Sequence, residues 1–136
     1  MNILRGIGAI LAGFIFIGIT HTGTDFILER LGIFTPPTVR FDTTWMIITA
    51  IVYRNVFLIA AGYLTAKLAP EPKGRYVIFL GLIGTLLGVA GVIASRLMDL
   101  GPLWYPIALV VLGFPCVWLG GWLYTRRQDT ILIRNE

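Results

Sequence analysis

The chain has 136 residues, 57% of them apolar and only 13% charged, with a single cysteine and a formal net charge of +4. This length holds one domain, and soluble domains carry about 25% charged residues, so an ordinary soluble fold is excluded. The same figures exclude a disordered chain, an internal disulfide framework and a multi-thiolate metal site.

Four segments are long enough to cross a hydrocarbon core of roughly 30 Å, which takes about 20 helical residues. Helix is the expected form, since an isolated open strand leaves its backbone unpaired in lipid, and the strict alternation of barrel strands is absent. The fold class is therefore all-α: a four-helix transmembrane bundle running up-down-up-down as one domain, with spans at about 3–31, 44–68, 76–98 and 103–124.

The first span opens with Arg5 and an apolar run from Ile7 to Ile19 that mimics a secretory signal. No A-x-A-like cleavage site follows and the helical pattern continues to Leu31, so the segment is expected to be retained as a span. Gly6, Ala9 and Gly13 make a small groove at its start. His21, Asp25 and Glu29 are spaced i, i+4, i+8 and so share one row. Phe34-Thr35-Pro36-Pro37 ends the helix, because proline lacks the amide donor and biases its predecessor away from helix.

The second span contains Arg54. At 1.5 Å per residue, Arg54 and His21 both lie roughly 16 Å from the adjoining loop, and Asp25 about 10 Å. Side chains lean toward their own helix N-terminus, so in an antiparallel hairpin Asp25 and Arg54 lean toward each other. An Asp25–Arg54 ion pair is expected, with His21 and Asn55 as neighbours and Glu29 nearer water. A charge at bilayer depth costs at least about 2.5–3.5 kcal/mol, so this buried polar cluster is the most informative feature of the chain.

A polar turn, Ala69-Pro70-Glu71-Pro72-Lys73-Gly74, leads to the third span. There Gly81, Gly84, Gly88, Gly91 and Ser95 recur every three or four residues, forming a helix-packing row whose default partner is another span of the same chain. Gly101-Pro102 turns into the fourth span, where Pro115 frees the Val111 carbonyl and is expected to kink the helix. Cys116 reads as an apolar filler, and Thr130-Ile131-Leu132-Ile133 as a tail that touches the interface. Trp45, Trp104 and Tyr105 at one boundary, with Trp122, Tyr124 and Tyr76 at the other, form the aromatic belts of span ends.

Arg5, Lys67, Lys73, Arg75, Arg126, Arg127 and Arg134 fall on one side, and only Arg30, Arg40 and Arg96 on the other. The positive-inside rule then makes both termini cytoplasmic in a bacterial plasma membrane. Because the basic residues lie between apolar runs, the bilayer rather than nucleic acid is the expected partner.

Gly23-Thr24-Asp25, Tyr53-Arg54, Gly62-Tyr63-Leu64-Thr65-Ala66, Leu68-Ala69-Pro70, Gly101-Pro102-Leu103-Trp104-Tyr105-Pro106 and Pro115-Cys116-Val117-Trp118-Leu119-Gly120-Gly121 extend over most of the chain. With them it resembles a family of uncharacterised small bacterial integral membrane proteins with four predicted transmembrane helices. The resemblance implies that topology and a bacterial origin, and no activity.

No H-E-x-x-H, phosphate loop or dinucleotide fingerprint is present, so no catalytic residue, metal or cofactor is assigned. His21, Asp25 and Glu29 are a poor transition-metal set, and His21 lacks a nucleophile partner. The leading expectation is a small structural or accessory protein acting through helix contacts with a second copy or another membrane protein, its Asp25–Arg54 pair fixing register. The rival is an oligomeric transporter or channel subunit with a polar path at His21, Asp25 and Arg54. A membrane-embedded enzyme with His21 as base ranks last. A wet, outward-opening cavity at Arg54 would favour transport or catalysis over a purely structural role, and a closed, packed pair the reverse.

Overall fold

The computed structural model describes residues 2–136 and, within them, four helices and no strand. They are α1 (Asn2–Arg30), α2 (Thr44–Leu68), α3 (Lys73–Leu97) and α4 (Trp104–Arg134). Each is long and apolar enough to span a membrane, as a multi-pass protein requires. Large apolar side chains face outward along every helix, with Leu4, Leu86 and Leu97 at 73%, 72% and 81% exposure. A coat of that extent suits lipid, not water.

The helix boundaries follow local chemistry. After α1, Gly32 takes a left-handed φ of 72°, and the amides of Ile33 and Phe34 both return to the Leu28 carbonyl. Ala69 is extended ahead of Pro70, ending α2. The helix α3 begins directly after Pro72, a little earlier than the apolar run suggests. The helix α4 runs unbroken through Pro115 and on to Arg134, so the segment expected as a tail beyond the span is helical. The stretch after Tyr124 holds neither glycine nor proline, and Gln128 and Thr130 bond back four residues to Tyr124 and Arg126, so nothing stops the helix where the apolar run stops.

Both termini and the α2–α3 turn lie at one end of the bundle, the terminal end; the long α1–α2 loop and the short α3–α4 turn lie together at the other, the loop end. Arg5 donates to the Leu68 carbonyl at 3.2 Å at the first, and the Phe41 amide to the Leu100 carbonyl at 2.9 Å at the second. The helices α2 and α4 share the most extensive interface, while the backbone of α1 runs close to α2 and α3 but not to α4.

In the terminal half the packing is built on small residues, whereas in the loop half Phe34, Ile47 and Ala50 are the buried apolar side chains. A Cβ on Gly62 would strike the Val117 carbonyl and one on Gly120 the Ile59 carbonyl, so the two backbones of α2 and α4 lie directly on each other. Gly6 lies against the Tyr76 ring, Gly13 against Thr65 and Leu80, and Gly121 against Val77. Ala66, Val77, Leu80 and Val117 form the buried core between them. Thr65, fully buried, donates to the Ala9 carbonyl of α1 at 3.3 Å.

Candidate functional site

The polar cluster forms in the loop half, where α1 and α2 bring the expected charges together. The Arg54 guanidinium donates through Nη2 to Asp25 Oδ2, and the Tyr53 hydroxyl donates to Asp25 Oδ1. Both carboxylate oxygens are thus engaged, by adjacent residues of one helix turn. The side chains of Arg54 and Asp25 remain 23% and 27% exposed, so the pair is not sealed in the bundle.

The expected neighbours divide. His21 Nε2 lies 3.3 Å from the Arg54 carbonyl, so the ring bonds the backbone of α2 rather than the carboxylate. Asn55 does not join the pair: it donates to its own helix at the Ile51 carbonyl, 2.8 Å away, because it points a full residue step around α2 from Arg54. Glu29 is half-buried, one turn nearer the loops than Asp25, and has no ion-pair partner among the described residues. No three metal-ligating side chains converge among the described residues.

Two cavities meet at Arg54. The first, 470 Å³, lies under the two loops of the loop end and is walled by Asp25, Glu29, Phe34, Arg40, Asp99 and Tyr105, with Arg54 at its inner limit. We term it the chamber. The second, 450 Å³, is an apolar groove running deeper between the helices; its walls include Phe14 and Ile17 of α1, Leu58 of α2, Val110 and Phe114 of α4, and the small-residue row of α3. Arg54, Ser95, Tyr105 and Pro106 border both.

The α3 row divides accordingly. Gly81 packs on the Phe114 ring and Gly88 on Val110, both of α4, whereas a Cβ on Gly84 or Gly91 would meet nothing within 4 Å. All four, with Ser95, line the groove.

Above the chamber, Arg40 ties the loops together, bonding Asp42 at 2.7 Å and Asp99 across the bundle. The hydrogen bonds that Arg40 donates to Asp42 and then to Asp99 raise its pKa above the ordinary value, so it stays charged. Phe34 is buried beneath, with ring centroids 5.3 Å from Phe41 and 6.3 Å from Tyr53, and Phe41 continues to Tyr105 at 5.7 Å. Among the described residues, three buried side-chain polar atoms lack a protein partner: Arg54 Nε, Asn55 Oδ1 and Thr35 Oγ1. Each costs about 1–3 kcal/mol if left so, and two of the three belong to residues of the chamber wall.

Tyr53, Tyr105 and the Arg40–Asp99 tie were not anticipated. Tyrosine one residue before a buried arginine, on the helix facing an aspartate, was the available signal for Tyr53; Tyr105 reads from sequence as one more belt aromatic. Compared with family models, with curated proteins and with solved structures, the chain finds no match.

Proposed function

We propose that this is a small accessory protein of the bacterial plasma membrane, with its termini in the cytoplasm and its loop end outside, that binds a solute in the chamber. The excess of basic residues at the terminal end supports this orientation. The observation that carries the binding reading is the 470 Å³ chamber, which lies among the loops of the loop end and reaches a partly exposed Asp25–Arg54 pair. A pair serving register alone gains nothing from an open approach, since water in the approach weakens the attraction between the charges.

Binding is better supported than passage. A path through the bundle has to cross the terminal half, where Gly62 and Gly120 seat α2 and α4 backbone on backbone. In this reading the pair has two tasks: it holds α1 in register on α2, and it floors the chamber.

Accessible cysteines test both the opening and the orientation. In a Cys116→Ala background, Ser95→Cys should react with a membrane-impermeant thiol reagent applied outside intact cells, and Ala61→Cys, in the sealed half, should not react from either side. Labelling of residue 95 only in inverted vesicles would reverse the orientation. Its complete protection would remove the open chamber.

A further inference from the structure

We propose that chamber and groove form one continuous site for a lipophilic cation, an amphiphile with an ammonium head and an apolar tail; this rests on the chamber being a binding site. Each cavity falls within the roughly 300–1,000 Å³ of small-molecule sites, and Arg54, Ser95, Tyr105 and Pro106 line both, so the two adjoin with only side chains between them. The guest they fit is therefore elongated, with two chemically different ends.

The deep end calls for hydrocarbon. Beyond Arg54, Ser95 and Tyr105 at its mouth, the groove is bounded mainly by aliphatic and aromatic side chains, with His21 and Thr85 its polar members, and much of its space exists because Gly84 and Gly91 carry no side chain where a Cβ would meet nothing. A helix row that packs at alternate glycines and stands clear at the others is shaped for a narrow chain rather than for another helix.

The shallow end calls for positive charge. Its walls carry three carboxylates, Asp25, Glu29 and Asp99, against two guanidiniums, Arg40 and Arg54. Both guanidiniums are already committed, Arg54 to Asp25 and Arg40 to Asp99 and Asp42. The charge left over is the Glu29 carboxylate, half-buried and with no ion-pair partner among the described residues. An anionic head would meet a surplus of negative charge with no free cation to receive it. An ammonium finds Glu29, and beside it the row of Phe34, Phe41 and Tyr105, whose ring faces attract cations.

Equilibrium binding of radiolabelled decyltrimethylammonium, to the full chain in nanodiscs of zwitterionic lipid with empty discs subtracted, tests the proposal. Saturable binding is expected, displaced by the unlabelled cation and not by decyl sulfate, which has the same tail and the opposite charge. Glu29→Gln should weaken it about fivefold, the scale of a partly solvated ion pair. Gly84→Leu, which fills the groove, should weaken it about tenfold while leaving the weaker binding of tetramethylammonium unchanged. Equal displacement by decyl sulfate, indifference to Glu29→Gln, or binding no greater than to empty discs would each overturn it. If residue 95 still labels from outside while the cation fails to bind, the cation is wrong and the chamber stands; if residue 95 is protected, both fall.

Discussion

The α2–α4 seam and the α3 glycine row put the same residue type to opposite uses. In the terminal half glycine brings backbones together: Gly62 and Gly120 let α2 and α4 approach until a carbonyl occupies the place of a side chain. From the middle of α3 toward the loop end glycines alternate, Gly84 and Gly91 standing clear while Gly88 packs on Val110, and at the loop end itself Gly101 lies on the Phe41 carbonyl beside hydrogen-bonded charges and stacked rings. Lipid supplies no hydrophobic drive between helices, so one half gains from close van der Waals contact and the other from satisfying polar groups. A glycine row is thus no statement of packing until its neighbours are known.

The strongest challenge to this contrast is a methyl group at the α2–α4 seam. Gly120→Ala places a Cβ against the Ile59 carbonyl and should cost about 3 kcal/mol, the upper range for overpacking, read as a lowered unfolding midpoint in mixed detergent micelles. A loss no greater than that of Gly91→Ala, where a Cβ meets open space, would mean that the seam is no tighter than the clear positions of α3.

Next in size is the pair. Asp25→Ala leaves Arg54 without its carboxylate and should cost about 2 kcal/mol, less than the 3–5 kcal/mol of a fully buried pair because a quarter of each side chain is exposed. Adding Arg54→Leu should restore part of that loss, since the orphaned charge is what destabilises. Strict additivity in the same unfolding assay would show that the two groups do not depend on each other.

The smallest effect sharpens the comparison by its sign. Gly84→Ala meets open space and relieves a helix of a flexible residue, so it should stabilise by about 0.5–1 kcal/mol in that assay.

Much of this architecture was legible in the sequence, for identifiable reasons. Spans are written in long apolar runs, and a charge within a span is so costly that Asp25 and Arg54 could be paired from depth and lean alone. Tyr53 and Tyr105 were not legible as site residues, because an aromatic near a boundary serves equally as a belt residue or a cavity wall. The Arg40–Asp99 tie joins exposed groups far apart in the chain, on loops that carry no periodicity. The last turns of α4 escaped a hydropathy argument because helix continues where hydrophobicity ends. Glycine spacing named the packing face of α3 and not the two positions on it that stand clear.

That the α1 backbone stays away from α4, while α2 lies directly on it, bears on the order of assembly. The broadest seam, α2 on α4, joins helices that emerge from the ribosome with a whole span between them, so it is completed last. Asp25, Tyr53 and Arg54 belong to the first hairpin and need no later span to find one another. The polar groups least tolerable in lipid are therefore neutralised early in synthesis, and the nascent chain can wait, already shielded, for the strand of sequence that locks it.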